Sequence, residues 1–249
     1  MLRALIFDVD GTLAETEDLH RQAFNRAFAD LDLPWRWDPA LYADLLTVMG
    51  GKERLTHYID THHPGEAASL HARAPEIHAR KTIAYGGLVT GDGLPLRPGI
   101  ARLVGEARNA GLRLAIATTT SRPNVDRLLA ANFGLDDTPF DVIAAGDEAA
   151  RKKPAPDVFQ LALDRLGVPA VQAVAFEDSA PGIASARAAG LPVLATRSRY
   201  TDSHSLDGAF SAVSDLGEPG RPHRHIAGLE WPGDVVTLGA LQDWHAGVR

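Results

Sequence analysis

The chain opens on an apolar run, Leu2 to Phe7 broken only by Arg3, that stops at the polar stretch Asp8-Val9-Asp10-Gly11-Thr12. A continuous apolar run ending in Asp and Gly has the form of a strand buried on both faces, delivering its chemistry at the carboxyl end. The period then changes. Leu19, Ala23, Ala27 and Leu31 recur every four residues with Phe24 and Phe28 beside them, which predicts a helix over Glu15–Leu31. Pro34 and Pro39 end it. Shorter helical patterns follow over Pro39–Thr47, Lys52–Thr61 and Glu66–Tyr85, separated by Gly50-Gly51 and Pro64-Gly65 and free of strand-type alternation. The glycine-rich passage Gly86–Gly99 reads as a hinge or linker, because it has neither the Gly-Lys-Ser/Thr ending nor the preceding strand of a phosphate-binding loop.

From Gly99 onward helices and apolar strands alternate. Helices over Ile100–Ala110, Asn124–Phe133, Asp157–Leu166 and Gly182–Ala189 are interleaved with strands at Arg113–Thr119, Asp141–Ala145, Ala173–Asp178 and Pro192–Thr196. That rhythm predicts right-handed crossovers and an α/β fold, a Rossmann-like parallel sheet interrupted after its first strand by an inserted α-helical cap. The expected core is 1–15 and 93–249, and the expected cap 16–92. An insertion leaving the carboxyl end of the first strand belongs over that edge of the sheet. The stretch 217–249 is the least patterned: 234–244 reads as a strand followed by a helical turn, and His223 and His225 as solvated loop residues.

A length of 249 residues suits one α/β unit with a small insertion. No apolar run approaches a membrane span, and a strand starting at Leu2 leaves no room for a signal peptide. The expected compartment is the cytoplasm. The absence of cysteine excludes a disulfide framework and a thiolate metal site. A net charge of −7 supplies no broad basic face for nucleic acid. A monomer acting on a small molecule, with neither nucleic acid nor membrane as partner, is expected.

Asp8 and Asp10 alternate by two along extended backbone, which directs both side chains into one polar pocket. Two close carboxylates ionise together only with a cation between them, so the spacing asks for a metal. A calcium loop opening at Asp8 would need Glu at its twelfth position, where Leu19 stands. The second strand ends in Thr118-Thr119-Thr120-Ser121, hydroxyls and free N–H groups that make a phosphate seat, although Ser121 alone would satisfy a helix cap. Lys153, followed by Pro154 and Pro156, is aimed by a stiff backbone, and its ammonium can neutralise a phosphoryl oxygen. Glu177-Asp178 at the end of the fourth strand can complete an oxygen shell for a small hard cation such as magnesium. All four features fall at carboxyl ends of strands, on one edge of one sheet.

In that order they resemble the four motifs of the haloacid dehalogenase superfamily of phosphatases and phosphomutases, over about residues 1–196. The resemblance implies Asp8 as nucleophile, Asp10 as general acid and base, and Lys153 rather than Lys152 as the motif lysine. It implies Mg2+ held by Asp8, the Asp10 carbonyl and Asp178, with Glu177 as ligand or water anchor. Ala14–Asn25, the run Gly50, Gly51, Lys52, Glu53 and Arg54, and Lys81 resemble the CbbY-like branch, relatives of β-phosphoglucomutase that include a phosphatase of the Rubisco inhibitor xylulose 1,5-bisphosphate. Closure of the cap is then expected to bring Glu17, His20, Lys52, Arg54 and Lys81 to the substrate, Arg54 gripping a second phosphate while Glu17 and His20 read the hydroxyls between. The function this implies is a magnesium-dependent sugar phosphatase working through an aspartyl phosphate on xylulose 1,5-bisphosphate or a similar sugar bisphosphate. A sugar phosphomutase and a catalytically silent phosphate-binding regulator are the competing readings. An intact nucleophile argues against the regulator.

Overall fold

In the computed structural model, which describes residues 1–92, 94–134 and 138–247, seven strands form one sheet in the order β3-β2-β1-β4-β5-β6-β7. They are β1 (Ala4–Phe7), β2 (Arg113–Thr118), β3 (Val142–Ala145), β4 (Ala173–Glu177), β5 (Val193–Thr196), β6 (Ser211–Val213) and β7 (His225–Gly228). Neighbouring strands from β3 through β6 pair in parallel, and β7 closes the edge antiparallel to β6. Along β1, Leu5 and Phe7 pack with α5 (Ile100–Asn109), α6 (Arg122–Phe133) and α9 (Leu238–Gly247). Ala4 and Ile6 face the opposite side, against α7 (Asp157–Leu166) and α8 (Ala180–Ala188). Both faces of the strand are covered, which is why its sequence is an unbroken apolar run.

The segment expected as the cap forms α1 (Glu17–Asp30), α2 (Pro39–Leu45), α3 (Gly51–His62) and α4 (Ala67–Asp92). It has its own apolar cluster, with Phe24, Phe28, Trp37, Tyr42, Leu55 and Ile77 at its centre. The chain leaves the sheet after β1 and returns ahead of α5, and the two crossings are zipped together: Arg97 N–H donates to the Leu13 carbonyl at 2.8 Å, and Ala14 bridges Leu96. The helices therefore stand over the carboxyl edge of β1.

Expectations fail in two stretches of the chain. The glycine-rich passage is not a linker from Gly86, because α4 runs on through Gly86-Gly87 to Asp92; Gly93, within the same passage, lies outside the described residues. Glycine costs a helix roughly 1 kcal/mol, but here its bareness is used: a Cβ on Gly86 would come within 2.7 Å of the Arg127 guanidinium of α6. In the tail, no strand forms at 234–237. Val236 instead donates its N–H to the Leu216 carbonyl at 2.9 Å, and α9 is ten residues rather than one turn, with Trp244 stacked on Phe210 at 3.6 Å. His225 lies in β7 rather than in a loop. Residues 248–249 of the tail lie outside the described residues.

Candidate active site

The carboxyl ends of β1 and β4 bring Asp8 beside Glu177 and Asp178, all three buried, with one oxygen of each within 4.8 Å of the others. Lys153, from the loop after β3, is enclosed between them: its Nζ donates to Asp8 Oδ1 at 2.5 Å and to Glu177 Oε1 at 2.6 Å. Burial opposes the lysine's charge, but Asp8 and Glu177 outweigh it and raise its pKa. Lys152 points elsewhere, donating to the Gly146 carbonyl at 2.7 Å. Glu177 is saturated. Its Oε2 accepts from the N–H of Asp178 and Ser179 and from the Ser179 hydroxyl, at 3.0–3.2 Å. Asp178 Oδ2 accepts from Ser198 Oγ at 2.6 Å and Thr201 Oγ1 at 3.0 Å.

One ammonium does not balance three buried carboxylates. Burial pushes the Asp8 pKa well above the carboxylate range, with Lys153 offsetting it only in part and Glu177 adding to it. Burial and Glu177 push Asp178 up to about 8. A compact, all-oxygen donor set with surplus negative charge fits a small hard divalent cation, magnesium by preference over softer metals.

The Asp10 side chain is not part of this set. Its Oδ1 accepts from Thr16 Oγ1 at 2.5 Å and from His20 Nε2 at 3.0 Å, and its Oδ2 accepts from Thr120 Oγ1. Burial would raise its pKa, but His20, Thr120 and Thr16 outweigh burial and hold it far below the usual value. The acid pair that asks for a cation is thus Asp8 with Asp178, across two strands, rather than Asp8 with Asp10 along one. The Asp10 carbonyl, the group the motif implies as a ligand, is a separate matter from this side-chain geometry.

Behind Asp10 stands His20. Its Nε2–H donates to Asp10, so its Nδ1 accepts from Lys81 Nζ at 2.8 Å, and its ring stacks on Tyr85 at 4.1 Å. Burial, helped by Lys81, lowers the His20 pKa, and burial brings Lys81 down to about 8. Both ring nitrogens are engaged within the protein, whereas the sequence suggested that His20 reads sugar hydroxyls. Arg54 is buried too: Nε donates to the Leu45 carbonyl at 3.2 Å and Nη1 to Tyr42 Oη at 3.0 Å, while Tyr42 donates to Glu17 Oε2 at 2.9 Å. Gly50, at φ +94°, makes the turn into α3 that presents Arg54.

One cavity collects Asp8, Asp10, Glu17, His20, Gly50, Gly51, Arg54, Lys81, Thr119, Thr120 and Asp178. Lys52, Glu53 and Ser121 line an adjoining hollow that shares Gly51, Lys81, Thr119 and Thr120 with it. Thr118 lines neither. It is buried beneath them and its Oγ1 accepts the Thr120 N–H at 3.1 Å. Ser121 occupies the cap position of α6 but makes no side-chain capping bond, and its Oγ is buried without a partner.

Sequence reasoning missed Thr16, Tyr42, Ser198, Thr201 and Arg97. Ser198 and Thr201 follow the end of β5, on the same sheet edge that exposed the other motifs, so that rule could have found them. Arg97 had no signal. It donates to the carbonyls of Gly11, Thr196, Arg197 and Ser214 and pairs with Glu15 at 3.2 Å, binding the returning crossing to three strand ends.

Residues 2–190 match the family model described as haloacid dehalogenase-like hydrolase. The plasmid-borne protein CbbY of Cupriavidus necator is 48% identical over 99% of this chain and 98% of that protein. Protein CbbY of Rhodobacter capsulatus is 50% identical over 86% of this chain and 94% of its own. Among solved structures, a CbbY mutant from Rhodobacter sphaeroides in complex with xylulose-1,5-bisphosphate superposes with a TM-score of 0.79 at 45% identity, covering 86% of this chain and 95% of that one. A β-phosphoglucomutase from Clostridium difficile shares the fold over the full length of both chains, with a TM-score of 0.75 at 19% identity.

Proposed function

Because this chain belongs to the haloacid dehalogenase-like hydrolases and is a phosphatase, we propose that it removes a phosphate from a sugar bisphosphate, xylulose 1,5-bisphosphate above others, through an aspartyl phosphate on Asp8 and with magnesium. The observation that carries the mechanism is the buried Lys153 between Asp8 and Glu177. A binding protein has no use for a buried carboxylate pinned by a dedicated ammonium beside a cavity. The substrate class is supported by the relative whose crystal structure contains xylulose-1,5-bisphosphate.

Asp8 attacks phosphorus and displaces the sugar oxygen. Lys153 and the Thr119 hydroxyl meet the charge of the equatorial oxygens. Asp10 protonates the departing oxygen, then takes a proton from the water that hydrolyses the acyl phosphate. It stands ionised here, the state needed for the second step; His20 Nε2–H, with Lys81 behind it, is placed to return a proton for the first. Asp8, Asp178 and the Asp10 carbonyl would hold magnesium, with Glu177 anchoring Lys153 beside them. When bound, the ion neutralises phosphoryl charge that would repel the Asp8 carboxylate.

A bisphosphate needs a second anion seat, and Arg54 is the guanidinium the cavity offers for it, oriented by Leu45 and Tyr42. The test compares kcat/KM for phosphate release from xylulose 1,5-bisphosphate and from matched xylulose monophosphates, with magnesium, in wild type and Arg54→Ala. The expected result is a large bisphosphate preference that shrinks in the variant. Equal rates on mono- and bisphosphate, or isomerised sugar phosphate without free phosphate, would overturn this reading.

A further inference from the structure

The loop after β5 grips both parts of the molecule within four residues. Ser198 and Thr201 donate their hydroxyls to Asp178 Oδ2, and the Ser198 N–H donates to Thr201 Oγ1 at 3.3 Å. Between them Tyr200 turns the other way. Its Oη donates to Asp18 Oδ1 of α1 at 2.7 Å, and its ring meets the Tyr42 ring of α2 at a right angle with centroids 5.8 Å apart. The N–H of Arg199 donates to Glu15 Oε2 at 3.3 Å, on the outgoing crossing to the helices. Tyr42 in turn carries Glu17 and Arg54, both facing the cavity. A substrate that draws Glu17 and Arg54 inward therefore acts on the same aromatic pair that Tyr200 holds.

Asp178 has little room to respond independently. A Cβ on Gly11 would lie 2.1 Å from Asp178 Oδ2 and 2.9 Å from Ser198 Oγ, so carboxylate, hydroxyl and the turn after Asp10 are in close contact. Tyr200 and Thr201 are consecutive residues, joined by a fixed span of about 3.8 Å between Cα atoms. Movement of Tyr200 with α1 must be taken up by Thr201, and hence by Asp178.

We propose that Tyr200 is a positioning residue that couples the seating of α1 and α2 to the placement of Asp178, so that magnesium and substrate bind cooperatively. This rests on the reading above that Asp178 helps to hold the ion. Coupling of this kind is reciprocal: whatever factor the substrate adds to ion affinity, the ion returns to substrate affinity.

The experiment is calorimetric titration of Mg2+ alone, with and without a non-hydrolysable bisphosphonate analogue of the pentulose bisphosphate. In wild type the analogue should tighten ion binding by roughly 5- to 10-fold. Tyr200→Phe keeps the ring and loses the bond to Asp18, and should reduce that factor to about 2-fold or less, with an unchanged melting temperature. Thr201→Val, at the other end of the link, should abolish the same coupling. A wild-type coupling factor in folded Tyr200→Phe overturns the inference, as does a loss confined to Thr201→Val. If wild type binds no Mg2+, the assignment of Asp178 falls and takes this inference with it.

Discussion

At the scale of single residues, the decisive feature is a line of hydrogen bonds from Lys81 through His20 to Asp10, closed by the Thr16 and Thr120 hydroxyls. Asp10→Asn keeps the shape of that line and removes its proton-transferring end. It should lower kcat roughly 100- to 10,000-fold while leaving substrate affinity near wild type; loss of affinity instead would make Asp10 a structural group. Lys81 gives the pH dependence. Burial lowers it to about 8, so it is charged below that pH and loses its charge as pH rises through it. A cationic lysine lining an anion's cavity should therefore make KM for the bisphosphate climb above pH 8, and Lys81→Met should flatten that limb of the profile. Asp8, Lys153 and Asp178 were legible because each follows a predicted strand with the residue type phosphoryl transfer requires. The partner Tyr42 was not, since a hydroxyl placed by its reach across space carries no local pattern, whereas Ser198 and Thr201, just past β5, lie where the same rule applies.

At the scale of elements, α8 shows how closely a helix start and a catalytic anchor can be fitted. Its Ser179 cap accepts from the Gly182 N–H at 3.2 Å, and Gly182 lies under Glu177, where an added Cβ would fall 2.0 Å from the carboxylate carbon. Gly182→Ala must displace Glu177 and with it Lys153. We expect a loss of about 1–3 kcal/mol of stability together with a large fall in kcat, read by melting and phosphate release. Gly105→Ala, in open space on α5, is the control that should do neither. Strands β1 to β5 were legible as short apolar runs because helices cover both their faces. β6 has only three residues, and β7, His-Ile-Ala-Gly and half-buried to exposed at the sheet edge, shows no buried apolar run. The run of α4 through Gly86 was hidden for a different reason: local propensity argued for a break, and packing against α6 decided otherwise.

At the scale of the whole molecule, the sheet order places the ends of β2, β1 and β4 side by side, and the Lys153 loop after β3 reaches across to them. Sequence could predict that shared edge from alternation alone. It could not predict how the four helices after β1 meet the loop after β5, because that contact joins residues such as Asp18 and Tyr200 that lie far apart in the chain. The central claim is that this assembly transfers phosphate through Asp8. Rapid acid quench of the enzyme mixed with substrate radiolabelled in its scissile phosphoryl group tests it directly. The label should appear transiently on the chain, map to the peptide containing Asp8, and be absent from Asp8→Asn, which should release no phosphate. Phosphate released by wild type with no label ever on the chain, or near-wild-type release from pure Asp8→Asn, would contradict the claim.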